Sequence, residues 1–286
     1  MPSPSEVASL ATLACLLEAS AAKPGNVSPG RPFRNMSYED FLASAVAIGP
    51  VLEQAGRRPL GETIRDVLRA TRRWTRANTN LGIALLLAPL ARAELAGLEG
   101  NTLRQRAGRV LGTTTVADAA EVYGAIRESG AGGLGKVDAE DVSRSPSVTL
   151  REAMVLAARR DSVAAEYASD YALTFGTGVP ALREARSAGL PWDAAVIETF
   201  LALLAARPDT LIARKLGPDA AEAVSVRAAE IRRMGGARSE SGRAELVRFD
   251  ADLRDPQNSQ NPGTTADLTA AAIFVALLED GWQPER

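Results

Sequence analysis

Apolar residues recur at helical spacing along almost the whole chain, and this pattern limits its fold more than any other feature. Val7, Leu10 and Ala14 are three or four residues apart, as the buried face of a helix requires. Aromatic residues make up only 5% of the 286 residues, and no sustained alternating run with hairpin turns occurs. The sequence therefore predicts an all-α fold, a single compact multi-helix domain over residues 1–286 with its ligand cleft between helix termini.

The predicted helices follow one another closely. The first runs from Val7 to about Ala22, and the second is expected to stop at Gly49-Pro50. Further helices are expected at Leu60–Trp74, Leu81–Leu98, Ala117–Glu128, Leu150–Arg160, Ser162–Thr174, Pro191–Ala206, Asp219–Met234, Glu240–Leu253 and Ala266–Leu278. Ser129–Ser147 is polar and glycine-rich, which predicts a surface loop between two halves of the domain. Its Gly130–Gly135 matches the dinucleotide fingerprint, but a helix rather than a strand precedes it, so we reject that reading.

The composition excludes several mechanisms. Histidine is absent, so neither a Ser-His-Asp triad, nor a Cys-His pair, nor a His-ligated zinc site can form. The single cysteine, Cys15, lies in an apolar helical segment and is interpreted as a small buried residue. Acid–base chemistry must then use Asp, Glu, Lys, Arg or Tyr. The expected metal is Mg²⁺, held partly by substrate phosphates.

Charge and hydropathy indicate the surroundings of the protein. A net charge of −2 gives no reason to expect nucleic acid or an anionic membrane as a partner. The longest apolar run, Leu81–Leu90, is far shorter than the ~20 residues of a membrane span, and no signal peptide is recognised. We therefore expect a cytoplasmic protein with small-molecule substrates, and a homodimer is the assembly considered.

Polar residues at the starts of helices are the main functional signal. Asn261–Asp267 places a turn, two hydroxyls and a carboxylate before the apolar run Leu268–Leu278. The amides and dipole of a helix start favour phosphate groups. Hydroxyl–carboxylate pairs at capping-box spacing occur at Ser37/Asp40, Thr115/Asp118, Thr149/Glu152 and Thr264/Asp267.

Two further segments carry candidate phosphate ligands. Lys23–Gly30 ends the first helix; Lys23 could bind phosphate with Asn26 and Ser28 as donors, although a lysine at a helix end followed by two turns is common. Asn78 and Asn80 precede the fourth helix, where an amide could contact a ligand or merely cap the helix.

The remaining candidates are charged. Asp118, Asp161, Asp170 and Asp267 are the carboxylates to examine first, and Asp118, Asp161 and Asp267 are predicted as catalytic residues and metal ligands, with helix capping as the alternative. Arg238 and the pair Arg214-Lys215 are either phosphate ligands or solvated surface charges. Asn261 and Thr264 complete the predicted phosphate site.

In order, these segments resemble the triphosphoribosyl-dephospho-coenzyme A synthase family. The residues that carry the resemblance are Lys23-Pro-Gly-Asn-Val27, Asn78-Thr79 with Gly82, Gly236-Ala-Arg238 with Glu240 and Gly242, and Asn261-Pro-Gly263 with Ala266-Asp267-Leu268. The resemblance implies an all-helical enzyme that transfers triphosphoribose from ATP to a hydroxyl of dephospho-coenzyme A and releases adenine. It also implies that carboxylates stabilise positive charge on the sugar and accept the hydroxyl proton.

Departures from the family pattern keep other functions open. Asn35–Phe41 stands where relatives carry a His-Lys-Asp-Met-Asp-like segment, and Asn80-Leu81 replaces His-Lys. With Gly112–Asp118 and Arg160–Ser162, the chain resembles a divergent branch found with methanopterin-dependent one-carbon enzymes. The rival functions are a nucleotide-dependent transferase for a one-carbon carrier cofactor of the methanopterin or methylofuran type, a non-catalytic nucleotide-binding relative, and a hydrolase of ADP-ribose-type substrates.

Overall fold

The computed structural model describes residues 2–77, 79–129 and 140–282, and its secondary structure there is helical. The helices are α1 Pro4–Ser20, α2 Tyr38–Leu52, α3 Leu60–Arg72, α4 Leu81–Leu95, α5 Leu103–Gly112, α6 Val116–Ser129, α7 Leu150–Ala157, α8 Ser162–Ser169, α9 Val179–Ser187, α10 Trp192–Ala206, α11 Thr210–Leu216, α12 Pro218–Arg233, α13 Glu240–Leu253 and α14 Gly263–Asp280. Only two isolated β-bridges occur in these ranges. The all-α prediction is confirmed.

The chain divides into two compact units, residues 1–13 with 40–172 and residues 14–39 with 173–286. The division after Ala172 differs from the predicted division at Ser129–Ser147, of which residues 130–139, with the Gly130–Gly135 motif, lie outside the described part. The prediction of one domain stays a prediction. None of the helices in the described ranges combines the length and apolarity that a membrane crossing needs.

Each unit packs around helices that are apolar on every side. In the first unit α4 contacts α3, α5 and α8, and its residues from Ile83 to Ala91 are buried. In the second unit α10 contacts α9, α12 and α14, and α14 is buried from Leu268 to Leu277. Helices without a polar face belong in a core, so these hydrophobic runs set the layout of both units.

Several predicted boundaries are wrong. Helix α2 continues through Pro50 to Leu52, because a proline removes only its own amide bond while buried Gly49 and Leu52 keep the turn packed. The helix predicted over Ser162–Thr174 ends at Ser169, since Asp170 and Tyr171 adopt left-handed φ values of 51° and 61°.

A proline inside α4 is compensated by a distant tyrosine. Pro89 has no amide hydrogen for the carbonyl of Leu85, four residues earlier. The hydroxyl of Tyr167 donates to that carbonyl at 2.7 Å, and Tyr171 donates to the next carbonyl, of Leu86, at 2.7 Å. Both tyrosines are fully buried, and burial raises the pKa of each hydroxyl, so they remain donors.

We expect Tyr167→Phe to lower the free energy of unfolding by about 1–3 kcal/mol, because it leaves the Leu85 carbonyl buried without a donor. Urea unfolding measures this change. The control is Tyr38→Phe, whose hydroxyl pairs with Ser20 at an exposed position and should matter by less than about 0.5 kcal/mol. Equal effects of the two substitutions would contradict the role of Tyr167.

Candidate functional site

The turn that follows α1 requires glycine at its centre. Gly25 has φ +71°, and a Cβ there would lie 3.0 Å from Leu253 of α13 and from Pro262, just before α14. Glycine tolerates both this φ and this close approach. The predicted turns after Lys23 are therefore confirmed, and the turn lies against the end of α13 and the start of α14.

One carboxylate on α13 holds this turn in place. Asp250 is buried; its Oδ1 accepts a hydrogen bond from the Gly25 amide at 2.8 Å. Its Oδ2 accepts from Arg31 and, at 2.9 Å, from Nε of Arg254. Arg254 also donates to the carbonyl of Asn26. Asp250 and Arg254 thus fix the turn at several points, and we call residues 23–31 with Asp250, Arg254 and residues 261–264 the turn site.

Lys23 is only 1% exposed, and Glu18 balances its charge inside the second unit. Its Nζ lies 2.9 Å from Glu18 Oε1 and donates to the carbonyls of Glu18 and Ala21, so each of its three N–H groups has an acceptor. Phosphate would have to compete with Glu18 for this ammonium group. The predicted phosphate contact of Lys23 stays a prediction, while its observed contacts stabilise the end of α1.

The start of α14 is satisfied by a residue that the sequence analysis missed. The helix begins at Gly263 without a side-chain cap, so the predicted Thr264/Asp267 capping box is wrong. Asp209 Oδ2 instead accepts from the Thr265 amide at 2.7 Å and from its hydroxyl at 2.8 Å. An acidic side chain from another element has taken the place of the local cap.

Two buried polar atoms of the turn site have no hydrogen-bond partner. They are Oγ of Ser28 and Oδ1 of Asn261. Ser28 follows Gly25 in the turn, and Asn261 precedes Pro262, the residue that Gly25 approaches. Buried polar atoms without partners are unfavourable by about 1–3 kcal/mol each, so a polar ligand that bonded to them would be stabilised.

Other predicted phosphate ligands of the second unit have protein partners. Asn26 donates to the Pro24 carbonyl at 3.0 Å, and Thr264 accepts from the Thr210 hydroxyl at 3.3 Å. Lys215 donates to the Asn258 carbonyl at 3.0 Å, and burial lowers its pKa although Asp255 and Asp209 oppose the shift. Arg214 lies beside it on α11.

Arg238 and Asp267 occupy different places in this unit. Arg238 lies 2.9 Å from Glu184 and 3.7 Å from Glu198, on α9 and α10. Burial raises the pKa of the Cys15 thiol, and the negative charges of Glu18 and Asp267 raise it further. Cys15 is buried as predicted. Of the predicted carboxylates, Asp267 is the one that belongs to the second unit, together with the Lys23–Glu18 pair.

The predicted residues of the first unit serve its packing. Asn80 is buried and donates to Thr71 at 3.1 Å and to the Ser44 carbonyl at 3.4 Å. Asp118 forms the predicted capping box with Thr115 and also accepts from the Gly61 amide at 2.7 Å. Asp161 caps α8 through the Ala164 amide at 3.0 Å. Asn78 lies outside the described residues.

The described residues contain no preformed cluster of metal ligands. Within the described ranges, no group of three or more Cys, Asp or Glu side chains could hold an ion. Asp118 and Asp161 belong to the first unit, where each accepts hydrogen bonds at the start of a helix. Asp267 belongs to the second unit. The assignment of these three carboxylates as metal ligands stays a prediction without support from this geometry.

A surface cleft of about 810 Å³ in the first unit is lined by Asp170, one of the four carboxylates that the sequence singled out, and by no other predicted site residue. Its arginines are already engaged, since Arg104 donates to the Asp170 carbonyl at 2.8 Å and Arg109 pairs with Glu99 at 3.4 Å. The Asp170 carboxylate pairs with Arg151 at 2.7 Å. Ser28 and Asn261, whose buried oxygens lack hydrogen-bond partners, do not line this cleft.

Comparison with known proteins identifies similar sequences and a similar fold. The family described as "CitG: ATP:dephospho-CoA triphosphoribosyl transferase" matches residues 4–286. A 2-(5''-triphosphoribosyl)-3'-dephosphocoenzyme-A synthase of Klebsiella pneumoniae is 32% identical over 97 residues, 34% of each chain. A Pseudomonas putida protein that carries the same name with the qualifier "Probable" is 33% identical over 100 residues. The chain spans about a third of the length of these curated relatives, 34% and 35%.

The structural comparison extends further along the chain. A crystal structure described as that of a "putative triphosphoribosyl-dephospho-coA synthase from Archaeoglobus fulgidus" aligns with a TM-score of 0.65 and 29% identity. The alignment covers 85% of this chain and 100% of that one. Both comparisons agree with the resemblance seen in the sequence motifs.

Proposed function

Since the chain belongs to the CitG family of ATP:dephospho-CoA triphosphoribosyl transferases, we propose that it transfers the triphosphoribosyl group of ATP to a hydroxyl of 3'-dephospho-CoA. The bond between ribose C1' and adenine breaks, and its electron pair leaves with adenine. The acceptor oxygen forms the new bond to C1', and its proton passes to a base. This chemistry requires neither histidine nor a thiol, in keeping with a chain that has no histidine and one buried cysteine.

The observation that carries the proposal is the pair of unsatisfied polar atoms in the turn site, Ser28 Oγ and Asn261 Oδ1. They lie beside the motifs Lys23–Val27 and Asn261–Gly263, which carry the family resemblance. The amides of Gly263, Thr265 and Ala266 at the start of α14 already have acceptors, so we propose that side chains of the turn site make the main contacts with ATP. The Ser28 hydroxyl can donate to a phosphate oxygen, whereas Asn261 Oδ1 only accepts and would take a hydrogen bond from a ribose hydroxyl.

Asp267 is the carboxylate that we assign to the developing positive charge on the sugar. It lies in the second unit with the turn site, whereas Asp118 and Asp161 support helix starts in the first. A carboxylate close to C1' stabilises an oxocarbenium-like transition state, as in glycoside cleavage. Since no group of three or more acidic or thiol side chains clusters in the part of the chain that the structure describes, we propose that magnesium enters with ATP as the Mg–ATP substrate.

A transferase with another acceptor is the second candidate, and Asn80 favours it. Relatives carry His-Lys where this chain has Asn80-Leu81. The Asn80 side-chain amide donates to the Thr71 hydroxyl and to the Ser44 carbonyl. A basic side chain is thus replaced by one that packs internally. This change is consistent with an acceptor such as a precursor of a one-carbon carrier cofactor.

The test is incubation of the protein with Mg–ATP and dephospho-CoA. We expect free adenine by chromatography together with a triphosphoribosyl-dephospho-CoA adduct by mass spectrometry. Adenine release that depends on a different acceptor would replace the first proposal with the second. Free ribose phosphates without an acceptor would indicate a hydrolase. Calorimetric binding of ATP without adenine release would indicate a non-catalytic relative.

A further inference from the structure

Asp209 joins the starts of two helices through one carboxylate. It precedes α11 and is only 1% exposed. Its Oδ1 accepts from the amides of Leu211 at 2.8 Å and Ile212 at 3.1 Å. Its Oδ2 accepts from the amide and the hydroxyl of Thr265 in the first turn of α14. The two helix starts are therefore bonded to opposite sides of a single side chain.

The charge of Asp209 suits this position. Burial raises its pKa, while the bonds from Thr265, Ile212 and Leu211 oppose that shift. Helix starts favour a negative charge, and this carboxylate lies at two of them. Four donors surround its two oxygens, so the carboxylate fixes the distance between α11 and α14.

Further contacts extend this junction to the turn site. Thr210 donates to Thr264, and a Cβ on Gly263 would lie 2.8 Å from the Leu211 side chain. On α11, Lys215 donates to the Asn258 carbonyl in the loop before α14. The position of Asn261 therefore depends on how α11 is held against the start of α14.

We infer that Asp209 is a positioning residue of the turn site, which holds the first turn of α14 and Asn261 in the geometry that binds ATP. The inference rests on the proposed function. Asp209 has no role in the bond changes; it acts through Thr265 and through the residues before it. Its loss should weaken ATP binding more than the chemical step, because the reacting groups themselves remain.

Asp209→Asn separates the two halves of the junction. The amide oxygen of asparagine can still accept from Leu211 and Ile212, while its NH₂ group faces the Thr265 amide, which is also a donor. We expect hydrogen exchange in residues 263–268 to accelerate about tenfold, and the KM for ATP to rise about tenfold with kcat changed less than about threefold. These factors correspond to one lost hydrogen bond to a charged group.

Two further variants keep the test decisive. Thr265→Ala removes only the hydroxyl donor and should also raise the KM for ATP. It therefore tests the inference even if Asp209→Asn fails to fold. Thr149→Ala removes the cap of α7 in the first unit and should lower Tm without changing the KM for ATP. Asp209→Glu is not expected to retain the native KM for ATP, because its longer side chain would shift both helices.

The outcomes separate this inference from the proposed function. Wild-type protein that releases no adenine overturns the proposed function and, with it, the triphosphate role of Asp209. Wild-type turnover, with faster exchange at α14 but an unchanged KM in Asp209→Asn and Thr265→Ala, overturns the positioning role alone. A raised KM for ATP in Asp209→Asn and Thr265→Ala, together with an unchanged KM in Thr149→Ala, supports the positioning role.

Discussion

Replacing Gly61 by alanine is expected to lower the free energy of unfolding by about 3–5 kcal/mol and Tm by roughly 10 °C. A Cβ at this position would lie 2.5 Å from Cα and 2.6 Å from the carbonyl oxygen of Asp118, which are backbone atoms of α6. The start of α3 would have to move away from α6. The bond from the Gly61 amide to Asp118 would then be lost as well.

Gly124→Ala is the matched control, because it adds the same methyl group to α6 itself. The nearest atom to its Cβ is the end of the Arg127 side chain, 3.9 Å away. Alanine is favoured over glycine inside a helix by roughly 1 kcal/mol, so this variant should be as stable as the wild type or more so. Calorimetric melting of both variants gives the comparison. A Gly61→Ala protein that melts like the wild type would refute the close approach of α3 and α6.

Asp250→Ala is expected to reduce adenine release at least about a hundredfold and to lower stability by about 2–3 kcal/mol. The substitution removes the acceptor for Gly25, Arg31 and Arg254 at once. Losing one member of a buried ion pair is strongly destabilising, but both arginines reach solvent, at 42% and 22% exposure, which reduces the effect. The turn that carries Ser28 would lose its support, and misplaced binding groups slow a reaction by about a hundredfold.

Asp252→Ala provides the control on the same helix. Asp252 is 66% exposed and lies 3.7 Å from Arg227, a surface pair worth less than about 1 kcal/mol. Its adenine release and its urea midpoint should match the wild type. If Asp250→Ala retained full activity, the turn site would not be the place where ATP reacts.

The sequence was most informative where local chemistry decides structure. The bounds of α13 agree with the prediction, and the capping boxes at Thr115/Asp118 and Thr149/Glu152 form as expected. Helix α5 was not predicted, although Thr102 and Gln105 form a capping box whose spacing was readable. The breaks that were missed depend on distant contacts, such as Arg104 with the carbonyls of Ser169 and Asp170.

The turn site was predicted only in part, because some of its contacts join residues that are far apart in the sequence. The turn after Lys23 and the start of α14 were recognised from their glycines, prolines and hydroxyls, and Gly25 does approach Pro262. Asp250 and Asp209 were missed because their partners are remote. The Gly25 amide is 225 positions from Asp250, and Thr265 is 56 positions from Asp209. A single sequence contains no local pattern that reports such pairs.

The bond between Tyr167 and the carbonyl freed by Pro89 means that these two positions cannot change independently. A lineage that exchanged Pro89 for a residue with an amide hydrogen would regain the ordinary helical bond, and phenylalanine at position 167 would then be tolerated. In a lineage that keeps Pro89, phenylalanine at position 167 would leave the Leu85 carbonyl without a hydrogen-bond donor. The order in which substitutions arise, and not only their identity, therefore governs which sequences this helix can accept.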